Sequence, residues 1–150
     1  MPYTANYPRT AAEVLDDSMT FNPAALRAVK KLARAKPWRA AEPQRLALFT
    51  TAAAELSAAY GIRTPSVRAG RLDGSSSGDS NYSPAAHAIT LNGRLSVVTF
   101  LHEFAHARGY DERKACRWSL NIFRRCFPRS FARCRQVGHV LVADRTQSPR

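Results

Sequence analysis

Ser96-Val97-Val98-Thr99-Phe100-Leu101-His102-Glu103-Phe104-Ala105-His106-Ala107-Arg108-Gly109 is the stretch on which the reading of this chain turns. Its apolar residues recur with helical rather than alternating spacing, and Gly109 supplies a stop that tolerates positive φ. Leu95, Val97, Val98, Phe100, Leu101 and Phe104 make the helix mostly apolar, so it belongs in the interior. Positions four apart share a helical face, so His102 and His106 project side by side, with Glu103 next to the first. Two imidazoles and a carboxylate on a buried helix are costly unless something compensates them.

A metal ion is the natural compensation. Zinc takes nitrogen, sulfur or oxygen donors in a tetrahedron, and a catalytic site keeps one corner for water. His102 and His106 are the first two candidate ligands, and Glu103 is placed to act as general base. For a third ligand the chain offers Glu112, three residues beyond Gly109. On a helical wheel Glu112 lies with Ala115, Cys116, Ser119, Ile122, Phe123 and Cys126, opposite Arg113, Lys114, Arg117, Asn121 and Arg124. A carboxylate that opens an apolar stripe has a reason to be there. Its alternative role is to favour the positive end of the helix. Asp111 is a rival ligand, although Asp is also a preferred N-cap. His139 and His87 are more distant candidates, as ligands or oxyanion stabilisers, and Tyr110 and Tyr82 are potential donors to a reacting carbonyl.

Outward from this core the chain reads as an α+β domain, mostly helical, with a small sheet beside the histidine helix. Asn22-Pro23 begins a helix over about 24–36, stopped by Pro37. A second runs from Pro43 to Tyr60, closed by Gly61. Ile62–Arg68 reads as a short strand whose Pro65 marks an edge. The Gly, Ser, Asp and Asn of Gly70–Pro84 read as a loop. Ala88–Leu91 is a brief strand closed by Asn92-Gly93. A helix from Asp111 to Phe127 is expected to stop at Pro128, and Val137–Val142 reads as a strand or packed tail. Residues 1–20 read as a flexible or lightly packed arm and 143–150 as a frayed end of a single domain spanning 1–150.

The 150 residues carry 23 Lys and Arg against 11 Asp and Glu, a net charge of +12. Much of the excess falls in Arg27–Arg39 and Arg108–Arg135. A field of that sign favours nucleic acid or another acidic partner, and a solvated basic face is the alternative. Nothing approaches the run of about 20 apolar residues of a membrane helix, so no membrane partner is expected. The first 20 residues lack the apolar core of a secretory signal, which makes the cytoplasm the simplest compartment. Three cysteines, Cys116, Cys126 and Cys134, cannot all pair and show no C-x-x-C spacing, so they read as reduced core residues.

His102-Glu103-Phe104-Ala105-His106 resembles the zincin superfamily of metallopeptidases. The resemblance implies a minimal zincin-like fold, Zn2+ held by the two histidines, and Glu103 as general base for hydrolysis of a peptide or protein substrate. The extension through Gly109 to Glu112 is similar to the metzincin pattern H-E-x-x-H-x-x-G-x-x-H/D, with glutamate in the third-ligand position. Glutamate is the gluzincin ligand, commonly within E-x-x-A as in Glu112-Arg113-Lys114-Ala115, but there it lies farther downstream. No Met-turn can be placed. The family pattern also implies an edge strand at Ile89–Leu91. The resemblance covers residues 86–127, under a third of the chain. In size and charge the chain is similar to Spartan-type proteases, which digest proteins crosslinked to DNA. The alternative expectation is a non-catalytic, zinc-stabilised basic module that binds nucleic acid or another acidic partner.

Overall fold

The computed structural model describes residues 8–70, 80–91, 95–137 and 140–143. Residues 1–7, most of the Gly70–Pro84 loop, Asn92-Gly93, His139 and the tail from 144 lie outside the described residues. Helix α1 spans Pro23–Arg34 and α2 Glu42–Tyr60. Strands β1 (Ser66–Ala69), β2 (Asn81–Ser83) and β3 (Ala88–Leu91) follow. Then come α3 (Val97–Ala107), α4 (Glu112–Cys126), the short α5 (Pro128–Ala132), and strands β4 (Cys134–Val137) and β5 (Val140–Ala143). This is a mostly helical α+β fold with one three-stranded sheet and a β4–β5 hairpin. Among the described residues no helix is long and apolar enough to cross a membrane.

Each helix begins for a local reason. The Asn22 side chain accepts from the N–H groups of Ala24 and Ala25, and its amide donates to the Ala59 carbonyl 3.0 Å away. One residue thus caps α1 and ties its start to the end of α2. Lys36 takes a left-handed φ of 52°, which ends α1 two residues earlier than its sequence reads. Gly61, at φ 67°, closes α2. The Ser96 hydroxyl caps α3 at Thr99 N–H, and Leu95 stands outside the helix at a left-handed φ of 55°.

The sheet order is β1-β3-β2, with β1 parallel and β2 antiparallel to β3. Pro65 does precede an edge strand, although pairing begins only at Ser66, whose N–H reaches the His87 carbonyl. The expectation that Ile89–Leu91 is an edge is corrected: β3 is the central strand, and its Ala88, Ile89 and Leu91 are buried. The edge beside α3 is β2, three polar-flanked residues inside the stretch whose composition reads as loop. Helix α4 stops just before Pro128 as its sequence reads, with Phe127 turned out of the helical region, and Pro128 also opens α5, where its missing N–H costs nothing.

The main core lies where α1–α4 meet the sheet. Phe49 and Phe100 stack at 4.8 Å, joining α2 to α3, and Tyr60, Phe104 and Trp118 form a second aromatic group. A smaller cluster lies across α4. Residues 8–20 are packed there as a strap, burying Ala11 and Val14 against Cys116 and Leu120. Asn121, expected on the solvent side of α4, is buried beneath it. Its Oδ1 accepts from Asp16 N–H at 2.7 Å, and its Nδ2 donates to the Val14 carbonyl at 2.8 Å. Glu13, Asp16 and Asp17 pair with Arg113, Arg117 and Arg124. The difference from a lightly packed arm comes from pairing: two small apolar residues suffice because three carboxylates meet three guanidiniums and a buried amide closes the backbone groups between them.

Asn121→Ala removes both buried hydrogen bonds and leaves the Asp16 N–H and Val14 carbonyl without partners. Stability should fall by about 1–3 kcal/mol in chemical denaturation. Amide exchange at Asp16 should accelerate more than exchange in α2, because the lost bonds belong to the strap.

Candidate metal centre

The turn between α3 and α4 builds the site. Gly109, at φ 95°, lets the chain reverse, and its N–H returns to the His106 carbonyl while Tyr110 N–H returns to the Ala105 carbonyl. This paired closure is the Schellman arrangement, and it requires a residue at ease in the left-handed region. The Arg108 guanidinium lies 3.6 Å from the Tyr60 ring centroid and 4.3 Å from that of Tyr110, clamping the turn between two aromatics. Asp111 then caps α4 by accepting from Lys114 N–H at 2.9 Å. Its side chain is therefore committed to the helix end, and the rivalry between Asp111 and Glu112 resolves geometrically in favour of Glu112.

Glu112, the first residue of α4, swings its carboxylate back over the two histidines of α3. Nε2 of His102 and Nε2 of His106 lie 3.3 and 3.1 Å from the same oxygen, Glu112 Oε1, and 3.2 Å from each other, and Glu112 Oε2 is also 3.1 Å from His102 Nε2. His102, His106 and Glu112 form the one metal-competent cluster among the described residues. These separations are informative. Zinc–nitrogen bonds of about 2.0–2.1 Å in a tetrahedron place neighbouring donors roughly 3.3–3.4 Å apart. The three donors thus already stand close to the edges of one tetrahedral face. The set is chemically suited to zinc as well, with two imidazoles and one carboxylate.

The outer contacts prepare the histidines for that role. His106 donates from Nδ1 to the Tyr110 carbonyl at 2.8 Å, which places the proton on Nδ1 and leaves the Nε2 lone pair for a metal. Cys116 Sγ lies 3.9 Å from His102 Nδ1 and 3.6 Å from Glu112 Oε2. Burial, with the Glu112 carboxylate beside it, pushes the Cys116 thiol up to about 12, so it remains a neutral S–H next to the cluster. Its sequence reading as a reduced core residue describes its burial and misses this contact.

Glu103 is 8% exposed. It stands beside the cluster without belonging to it, on the helix against which β2 packs. Burial raises its proton affinity above that of an ordinary glutamate, against the opposing pull of His102 and His106. Glu112 behaves in the opposite way. Burial alone would raise it, but hydrogen bonds from His102 and His106 and their charges hold it well below the usual carboxylate range. For His106 burial disfavours the charged form, yet the bond to Glu112 and the Tyr110 carbonyl win, and its pKa rises above 6.5. Two carboxylates 9 residues apart in sequence, Glu103 buried and Glu112 half-buried, are thus shifted in opposite directions by their surroundings.

The remaining sequence candidates lie elsewhere. His87 closes the β2–β3 turn, with Nδ1 2.7 Å from the Tyr82 hydroxyl and Nε2 2.7 Å from the Arg63 carbonyl. The Tyr82 hydroxyl is thereby turned to the hairpin. Tyr110 contributes its carbonyl rather than its phenol. No side-chain pattern could have revealed that main-chain role. Comparison with protein-family models, with curated proteins and with solved structures found no match.

The proton balance gives a test of the cluster as a metal site. Because the His106 pKa is raised, its proton must leave before Nε2 can bind a metal, and that becomes harder as pH falls from about 8 through 6.5. Glu112 stays ionised over this range and adds nothing to the slope. Titration calorimetry of the metal-free protein should therefore show zinc affinity falling as pH drops, with net proton release near pH 7. A pH-independent affinity over this range would speak against ligation through His106.

Proposed function

We propose that this chain is a zinc-dependent peptidase in which His102, His106 and Glu112 hold the metal and Glu103 is the general base. The observation that carries the reading is the position of Glu103. It is a buried carboxylate next to a three-donor cluster and outside the donor set. A zinc that only stabilised a fold would have no use for such a group, and would tend to have a fourth protein ligand.

The chemistry that a bound zinc supplies is Lewis acidity, which brings the pKa of water from about 15.7 towards 7. The chain's own residues supply the rest. His102 and His106 offer neutral Nε2 donors from one helical face, and Glu112 adds a negative charge that stays ionised to low pH. Burial raises the proton affinity of the Glu103 carboxylate, which suits it to accept a proton from water and return it to a leaving amine. Hydrolysis is what this arrangement supports. The choice of a peptide bond rests on the resemblance of His102–His106 to zincins. Among the described residues all three cysteines are free, which fits a reducing, cytoplasmic setting.

A second reading, a non-catalytic zinc-stabilised basic module, is favoured by a separate observation: several exposed cations of α1 and of the end of α4 have no acidic partner among the described residues. One experiment separates the two. Metal content and cleavage of an unfolded protein are measured on wild type, Glu103→Gln and His106→Ala. The peptidase reading expects about one zinc per chain in wild type and Glu103→Gln, with cleavage reduced about 10²-fold or more in Glu103→Gln. His106→Ala should lose both metal and activity. Zinc in all but His106→Ala with no cleavage by wild type would favour the module, and a wild type free of zinc would sink both readings.

A further inference from the structure

The basic residues of this chain fall into two populations. Along α4, Arg113, Arg117 and Arg124 are each paired with a carboxylate of the strap. Elsewhere, Lys30 and Arg34 are one turn apart on α1, Lys36 and Arg39 flank Trp38 in sequence, and Arg125 and Arg129 lie at the junction of α4 and α5. All six are exposed, and among the described residues none is in an ion pair.

Four of these cations, Lys30, Arg34, Lys36 and Arg39, lie on the stretch of chain that leads up to and surrounds one aromatic ring, whereas Arg125 donates to the Met19 carbonyl at 3.4 Å and lies over the Phe21 ring, before the start of α1. Cys126 of α4 feels the charge of Lys30. The next residue, Phe127, meets the Trp38 ring edge-on with centroids 6.1 Å apart. Trp38 is 46% exposed and is the one exposed large hydrophobic side chain among the described residues. It is also held from behind. Arg45 donates through Nε to the Pro37 carbonyl at 2.7 Å and through Nη2 to the Trp38 carbonyl at 3.2 Å, so the turn presenting the ring is fixed.

We propose that this surface is a docking site for single-stranded nucleic acid, with the phosphates on Lys30 and Arg34 and a base stacked on Trp38. A cationic strip that tracks a backbone and an aromatic face that accepts any base are the two elements such binding requires. One ring amid charges offers too little apolar area to enter a lipid surface. An acidic polypeptide would use the cations but would leave the ring idle. Duplex DNA keeps its bases paired and would likewise make no use of Trp38. The surface lies at the opposite end of α4 from Glu112, about 20 Å along a 15-residue helix, so the proposal stands apart from the metal reading.

The test is fluorescence anisotropy with a labelled oligo(dT) of about 20 nucleotides over a series of salt concentrations. Wild type should bind at low salt, and log K should fall linearly with log salt. The Lys30→Glu, Arg34→Glu double variant should weaken binding by more than about tenfold and make the salt slope shallower by about 1–2. Trp38→Ala should weaken binding about tenfold with the slope unchanged, whereas Trp38→Phe, which keeps a ring and guards against misfolding, should retain most of the affinity. Arg63→Glu, an exposed charge reversal beside the sheet, should have little effect. Thermal unfolding of each variant checks that the fold is intact. Absence of binding by wild type, an Arg63→Glu loss equal to that of the double variant, or full affinity in Trp38→Ala would each overturn the proposal. So would equal or tighter binding to anionic vesicles or to polyglutamate.

Discussion

Two imidazoles and two carboxylates are held together where α3 meets α4, and most of the structure can be understood as what makes that assembly tolerable. Left alone in an apolar interior, any one of them would be expensive. Together they share charge: Glu112 is kept ionised by the histidines, and His106 is biased toward its charged form by Glu112 and by the Tyr110 carbonyl. With neutral histidines the cluster and Glu103 carry two negative charges in a chain of net charge +12. A dication would reverse the local balance without any rearrangement of the donors, since their separations already match a tetrahedral face.

What could be read in advance followed from periodicity and from punctuation. The i, i+4 spacing of His102 and His106 sets their common face whatever surrounds the helix, and Gly109 marks the reversal that brings Glu112 back. Asn22, Gly61 and Asp111 act where their local chemistry says they should, because capping is decided within four residues of the cap. The elements that escaped were those whose reason is tertiary. Strand β2 has three residues and no alternation of its own. It exists through its pairing with β3 and its place against α3. The strap escaped for a related reason, because Glu13, Asp16 and Asp17 read as solvated charge until their arginine partners arrive from a hundred residues downstream.

That pairing also changes the meaning of the net charge. A surplus of +12 counted over the whole chain says little about where a field acts. The strap's three carboxylates neutralise Arg113, Arg117 and Arg124 along the length of α4. Cations without an acidic partner among the described residues include Lys36 and Arg39, on either side of the exposed Trp38. The acidic residues are few, and their distribution rather than their number gives the surface its polarity.

The small sheet matters to the site through its edge. Strand β3 is buried and central, fixed between β1 and β2 and against α3, and so it sets the position of β2. Strand β2 in turn packs against α3, the helix that carries Glu103 and both histidines. The side chain of Tyr82 in β2 is anchored to His87, whose other nitrogen is bound to the Arg63 carbonyl before β1. The strand beside the histidine helix is thus tied to three segments of chain at once. A helix could supply the adjacency of Glu103 and His102 by itself. It could not hold its own neighbour in place, and for that a strand of three residues, paired on one side and pinned through one phenol, is sufficient.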